Sequence, residues 1–158
     1  MIWNEVVNFL DKGVDAKVLI GKHYHTIDAK GRVIIPAKFR EDLGSSFVVS
    51  KGIGKCLAVY SVTEWRVFED ELLSKRGKTA RGMQRALLSD ANECEMDDQG
   101  RALLPMELRK EVGLQKEIVI IGVSTHAEIW NKADWEEYKS APQFSDEEIE
   151  QAMEELGM

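Results

Sequence analysis

The sequence predicts a mainly β protein with capping helices (α+β content), built from two copies of one unit related by a pseudo-twofold axis. Three observations carry that expectation. The chain resembles itself: a shift of 69 places Asp28-Ala29-Lys30-Gly31-Arg32-Val33-Ile34-Ile35-Pro36-Ala37-Lys38-Phe39-Arg40 on Asp97-Asp98-Gln99-Gly100-Arg101-Ala102-Leu103-Leu104-Pro105-Met106-Glu107-Leu108-Arg109. The identities are Asp, Gly, Arg, Pro and Arg, followed by Gly44 on Gly113, positions where charge or backbone geometry is most demanding. Both copies then show the same order of β-patterned segments, turn residues and helical stretches. Finally, a unit of about 50 residues has few apolar positions to bury and is marginal alone, so the two copies are expected to cover each other.

Taken in order, Trp3, Val6, Val7 and Leu10 fall at helical spacing, predicting a short amphipathic helix over 2–12 with Gly13 at its end. Asn4, Glu5 and Asp11 interrupt its apolar residues, and no basic region or cleavage site marks a targeting signal. Residues 23–27 alternate as a strand, Asp28-Ala29-Lys30-Gly31 supplies turn chemistry with Gly31 suited to positive φ, and residues 32–35 form a second strand. That reading puts Lys30, Gly31 and Arg32 at the tip of a β-ribbon, with residues 101–104 as the second copy's matching strand. Pro36 stands at a favoured first helical position, Phe39 and Leu43 share a face, and Gly44 closes the helix. Pro105, Leu108, Val112 and Gly113 repeat the pattern.

Phe47-Val48-Val49 and residues 57–60 are further strands, mirrored by 118–121 and 127–130. After one inserted residue the shift becomes 70, placing Gly52 on Gly122, Tyr60 on Trp130, Trp65 on Trp135 and Phe68 on Tyr138. A second helix starts near Thr63-Glu64-Trp65 and again near Ala133-Asp134-Trp135. The chain therefore divides into an N-terminal extension (1–21), a first repeat (22–72), a basic linker or helical connection (73–90), a second repeat (91–141) and an acidic helix (142–158). Within the connection, the basic, Gly-containing stretch 74–82 reads as a linker or exposed loop. In the last segment Ser145 and Glu148 make a capping box, and Ile149, Met153 and Leu156 form a stripe at i, i+4, i+7. Such a stripe calls for a groove, on its own body or, preferably, on a neighbouring subunit.

The composition of the 158 residues, 44% hydrophobic and 31% charged, is that of a globular protein with a core. The longest apolar runs, such as Ile118-Val119-Ile120-Ile121, fall far short of the ~20 residues a membrane span needs. Cys56 and Cys94 form neither a CxxC pair nor a metal-type spacing, which fits a reducing cytoplasm. The net charge is 21 − 28 = −7, which alone gives no hint of a nucleic-acid partner. Its distribution argues otherwise: residues 22–55 carry seven basic and three acidic residues (+4), residues 127–158 two basic and ten acidic (−8).

The Asp-x-x-Gly-Arg-x3-Pro-x3-Arg signature, present twice, resembles the MraZ family of bacterial transcriptional regulators. The resemblance runs from about 21 to 135, with His25-Thr26-Ile27-Asp28-Ala29-Lys30-Gly31-Arg32 and Val119-Ile120-Ile121-Gly122-Val123 close to the family's usual wording. It implies a double-split β-barrel made of AbrB-like swapped-hairpin repeats, similar to transition-state regulators and some antitoxins. It also implies a homo-oligomeric ring that binds double-stranded DNA at short G-rich direct repeats. These lie upstream of the division and cell wall gene cluster, typically in the regulator's own promoter. The family's DNA-contact positions fall on Lys30 and Arg32, with Arg101 as the second-copy equivalent. Two departures stand out: Asp98 and Gln99 replace Ala29 and Lys30 in the second copy, and the first residues precede the usual family start, as a genuine extension or an upstream start codon.

The chemistry of these residues fits that role. An arginine fork can pair with guanine O6 and N7 for ~1–3 kcal/mol of discrimination per good contact, and a β-ribbon can enter the major groove. Arg40 and Arg109, in the last turn of their helices, read as ion-pair or capping residues, and Asp28 and Asp97 as turn-formers accepting backbone N–H groups. Lys75, Arg76, Lys78, Arg81 and Arg85 either touch phosphate non-specifically or belong to a solvated loop. Catalytic signals are poor. His23 and His25 share a strand face without a third metal-type ligand, Gly52-Ile53-Gly54 lacks the third glycine of a dinucleotide fingerprint, and no nucleophile elbow occurs. The expectation is a cytoplasmic, nucleoid-associated DNA-binding regulator without metal, cofactor, membrane or small-molecule substrate. Its rival is an antitoxin-like adaptor whose acidic tail engages a protein.

Overall fold

The computed structural model describes residues 18–158, so the helix expected over 2–12 lies outside the described residues. The first repeat runs β1 (Leu19–Thr26), β2 (Arg32–Ile34), α1 (Ala37–Leu43), β3 (Ser46–Lys51), β4 (Cys56–Ser61) and α2 (Val62–Ser74). After α3 (Lys78–Ser89) the same order returns as β5 (Asn92–Glu95), β6 (Arg101–Leu103), α4 (Met106–Glu111), β7 (Glu117–Ser124), β8 (Ala127–Asn131) and α5 (Lys132–Lys139). A 3-10 turn (Pro142–Phe144) leads to α6 (Asp146–Glu155). The fold is mixed α+β. Pro36 and Pro105 stand one position earlier than expected, as the residues that precede α1 and α4, with ψ of 135° and 132°.

Six antiparallel strands lie in the order β1-β7-β8-β4-β3-β5, and β2 pairs with β6 in a separate two-stranded ribbon. The order is symmetric under exchange of the repeats. β1 of the first repeat joins β7 of the second, β5 of the second joins β3 of the first, and β4 meets β8 at the centre. The turn at 28–31 is therefore not the tip of a ribbon made by β1 and β2: the two strands part there and each pairs with the other repeat. The backbone fixes this exchange, because Ile35 N donates to Gly100 O at 2.8 Å and Leu104 N donates to Gly31 O at 3.1 Å. Both bonds replace the ladder a local hairpin would have used.

The ladders also correct the alignment of the repeats. His25 faces Ile118 and Cys94 faces Phe47, so a shift of 69 in the first strand corresponds to 71 along β3 and β7. Phe47↔Ser61 and Ile118↔Asn131 then restore a shift of 70 in β4 and β8. Gly122 thus matches Lys51, not Gly52. Its own requirement is steric: a Cβ there would sit 2.5 Å from the backbone of Leu19 and Ile20, where β1 crosses over it.

The central strands are buried on both faces. One face, with Phe47, Val49, Leu57, Ile118, Ile120 and Ile129, packs on Val33 and Ala102 of the ribbon and on Phe39 and Leu108 of α1 and α4. On the other face Tyr60 meets Trp65 and Phe68 of α2, and Trp130 meets Trp135 of α5. Each repeat thus closes one half of the sheet with an aromatic cluster.

Residues 78–89 form a helix, so the connection is helical and the stretch 74–82 is a loop only as far as Gly77. Ala80, Gln84, Leu87 and Leu88 recur at i, i+4, i+7, i+8 and turn inward while the basic residues stay outside. Gln84 Nε2 donates to Leu72 O and Lys75 O at 3.0 and 3.1 Å, tying α3 to carbonyls at the end of α2.

Candidate nucleic-acid interface

Both turns have the same internal geometry. Asp28 Oδ1 accepts from Lys30 N and Arg32 N, each at 2.9 Å, and Asp28 Oδ2 accepts from Arg32 Nε at 2.7 Å. Asp97 repeats this with Gln99 N and Arg101 N at 2.9 Å and Arg101 Nε at 2.8 Å. A single carboxylate therefore closes each turn and orients its arginine. The N–H of Arg32 holds the Asp28 carboxyl below the usual carboxylate range, helped by the Arg32 side chain and the Lys30 N–H. Arg101 and Gln99 do the same to Asp97, again with the arginine N–H foremost.

Gly31 and Gly100 adopt φ of +85° and +77°, where a side chain is strained. Each is buried beneath an arginine of the opposite repeat. A Cβ on Gly31 would meet the guanidinium of Arg109, and one on Gly100 that of Arg40. Arg109 Nε donates to Leu104 O at 3.1 Å, and Arg40 Nε to Ile35 O at 2.9 Å. The expected ion-pair or capping role is corrected accordingly. Arg40 and Arg109 brace the strand carbonyl before each helix and pack under the other repeat's turn. Their coincidence in the self-comparison was the available signal; the swapped contact is invisible in sequence.

The ribbon sets the geometry of the exposed face. Arg32 pairs with Leu103, Val33 with Ala102, and Ile34 with Arg101. Because strand side chains alternate, Arg32, Ile34, Arg101 and Leu103 project to one face and Val33 and Ala102 to the other. Val33 and Ala102 are 1% exposed, whereas Ile34 and Leu103 are 44% and 58% exposed. Arg32 and Arg101 are diagonal neighbours, ~7–8 Å apart by sheet geometry. The structure thus brings Arg32 and Arg101 onto one surface, with Lys30 exposed in the adjoining turn and Gln99 in its place at the other end. The second repeat's arginine is presented as well as the first's; the asymmetry lies in Lys30 against Gln99 and in Asp98.

The histidines and the connection occupy other places. His23 packs edge-on against Phe39, with ring centroids 5.3 Å apart, and its ring lies 6.5 Å from that of His25. Burial, then His23 and Arg40, lowers the His25 pKa and keeps the neutral ring favoured. Lys75, Arg76, Lys78, Arg81 and Arg85 are exposed along the start and outer face of α3.

A family model described as "MraZ protein, putative antitoxin-like" matches residues 18–86 and 87–156, one match per repeat. The chain belongs to the MraZ family. A relative of this MraZ chain in Thermoanaerobacter sp. (strain X514), called "Transcriptional regulator MraZ", is 50% identical over 143 residues, covering 89% of this chain and all of that protein. Another of the same name in Caldanaerobacter subterraneus subsp. tengcongensis is 52% identical over 134 residues, 84% of this chain and 94% of that one. A third, from Clostridium tetani, is 46% identical over 143 residues, 89% of this chain and all of that protein.

Proposed function

We propose that this MraZ-family protein is a non-catalytic, sequence-specific DNA-binding transcriptional regulator that reads double-stranded DNA with the face of the β2–β6 ribbon. The observation that carries the reading is that Arg32 and Arg101 stand as diagonal neighbours on one face of the ribbon, each held by its own aspartate. An arginine whose Nε is engaged keeps its planar fork in one orientation, so less rotamer entropy is lost when it meets a guanine edge. Lys30 adds a cation at one end. Relatives named transcriptional regulators support the functional class. The interleaved strands and the separate β2–β6 ribbon favour a double-split β-barrel as the architecture, with 22–72 and 91–141 as its AbrB-like repeats. In this reading the protein works in the cytoplasm on the nucleoid.

A face with two arginines offers few base contacts, so one subunit binds weakly. Short G-rich direct repeats in the protein's own promoter, ahead of division and cell wall genes, suit a ring that presents several copies of that face. Affinity then comes from effective concentration. Helix α6 is the docking element we assign to ring assembly. No residue of α6 is buried, and Ile149, Met153 and Leu156 stand 43%, 44% and 77% exposed. Residues 145–158 carry six acidic and no basic side chains, while residues 75–89 carry five basic and no acidic ones. Between α2, α3 and the sheet lies a cleft of about 360 Å³ with Tyr60, Phe68, Leu72, Met83 and Leu87 in its wall. A second copy's α6 fits there by its apolar stripe; the charges lining the cleft are mixed, Lys51 and Lys75 with Glu71 and Glu128, and the basic residues of α3 lie outside it.

The test is fluorescence anisotropy with DNA from upstream of the protein's own gene, carrying one repeat or several, at two salt concentrations. Steep weakening with salt and poor binding to a single repeat are expected. Equal affinity for single, multiple and scrambled sites would refute the reading in favour of an antitoxin-like adaptor.

A further inference from the structure

The face that carries the two arginines is half apolar, and neither the turns nor the family's charge pattern accounts for this. Ile34 and Leu103 project from the same side of the ribbon as Arg32 and Arg101, each opposite an arginine of the partner strand. They are twofold mates, and both are left exposed although the residues next to them, Val33 and Ala102, are almost fully covered. The alternation therefore spends its outward positions on two cations and two aliphatic side chains in a space of three residue pairs.

We infer that Ile34 and Leu103 read thymine, packing on the C5-methyl groups of bases that lie beside those met by Arg32 and Arg101. This rests on the reading that the ribbon face meets DNA. The argument is one of matching chemistry. If Arg32 and Arg101 face a polyanion, whatever Ile34 and Leu103 touch lies on the same polyanion. Phosphate offers an aliphatic side chain nothing, and on the major-groove floor the one apolar group is the thymine methyl. The spacing agrees: the diagonal of ~7–8 Å between the arginines covers about two base-pair steps of 3.4 Å. Each aliphatic side chain, ~4.5–5.5 Å from the arginine opposite it, therefore falls within about one to two steps of that arginine's base. The pseudo-twofold axis through the Val33–Ala102 pair makes the arrangement nearly palindromic within one subunit. The aliphatic pair discriminates thymine from cytosine, which lacks the methyl, and the arginines supply guanine.

The experiment uses the full chain and upstream promoter DNA in which thymines of the protected site are replaced one at a time by deoxyuridine, which removes only the methyl. Wild-type protein should lose about four-fold in affinity at the contacted positions, the value of one buried methyl group. Ile34→Ala or Leu103→Ala should lose a similar factor on thymine DNA and nothing further on the matching deoxyuridine DNA. Wild-type binding that is selective but indifferent to every deoxyuridine overturns the inference and leaves the regulator reading standing. Losses that multiply, or an alanine variant that changes oligomeric state with its thymine preference intact, also overturn it and make the aliphatic pair a contact between subunits. No preference for promoter DNA over scrambled DNA overturns both.

Discussion

Replacing Gly31 by alanine probes the swapped clasp that shapes the candidate site. At φ +85° an alanine costs ~1–2 kcal/mol in backbone strain. Its Cβ would lie 2.5 Å from Arg109 Cζ and 2.6 and 2.7 Å from the two Nη atoms. The guanidinium is the movable end of its side chain, so it swings away, and the cost is the loss of its Nε bond to Leu104 O. A hydrogen bond from a charged donor contributes ~1.5–3 kcal/mol, so Gly31→Ala should destabilise by ~2.5–5 kcal/mol. Gly113 is the control, with φ +66° and nothing within 4 Å of a built Cβ, so Gly113→Ala should show only the ~1–2 kcal/mol of strain. Urea denaturation at one fixed protein concentration measures both, since association shifts apparent stability. In an Arg109→Ala background the excess cost of Gly31→Ala should vanish. A Gly31→Ala cost equal to that of Gly113→Ala, or one unchanged without Arg109, would refute the clasp.

Three further expectations follow from the same geometry. Asp28 is held below the ordinary carboxylate range, so its contribution is present above the unfolded value near 3.9 and is lost as pH falls through the folded value. An NMR titration should place its midpoint below 3.9, and Asp28→Asn should weaken promoter binding several-fold at neutral pH by releasing Arg32. Burial pushes the Cys56 thiol up to about 12, so its contribution to stability is full below about 9 and is lost as pH rises from there towards 12. Cys56 should resist a thiol reagent at pH 8 in the native protein and react on unfolding. Removal of residues 145–158 should leave the denaturation midpoint of the body nearly unchanged, because none of α6 is buried, yet reduce the oligomer seen by light scattering.

The duplication was legible because both turns impose the same demands. A carboxylate must accept two N–H groups at 28 and 97, a glycine must take positive φ at 31 and 100, and an arginine must brace the opposite turn at 40 and 109. The pairing of strands was not legible in the residue pattern, and only the family resemblance implied a swapped hairpin. Alternation at 23–27 and 32–35 fits a local hairpin as well as an exchanged one, and the choice is made by contacts some 70 residues apart, such as Ile35 N to Gly100 O. The helix at 78–89 was legible only as one of two readings of the connection, because Gly77 and Gly82 punctuate a basic run, while its signal, Ala80 with Gln84, Leu87 and Leu88, runs across Gly82. For the candidate site, the sequence singled out Lys30, Arg32 and Arg101. Only the β2–β6 register puts the two arginines, Ile34 and Leu103 on one face.

The most direct test of the account is an anisotropy titration of wild type and Arg32→Ala against DNA from upstream of the protein's own gene and against a scrambled sequence. The account predicts that wild type prefers the upstream DNA and that Arg32→Ala loses about 5- to 150-fold on it, the equivalent of ~1–3 kcal/mol, with little change on scrambled DNA. Arg32→Ala binding upstream DNA as tightly as wild type would contradict it and move the interface off the ribbon.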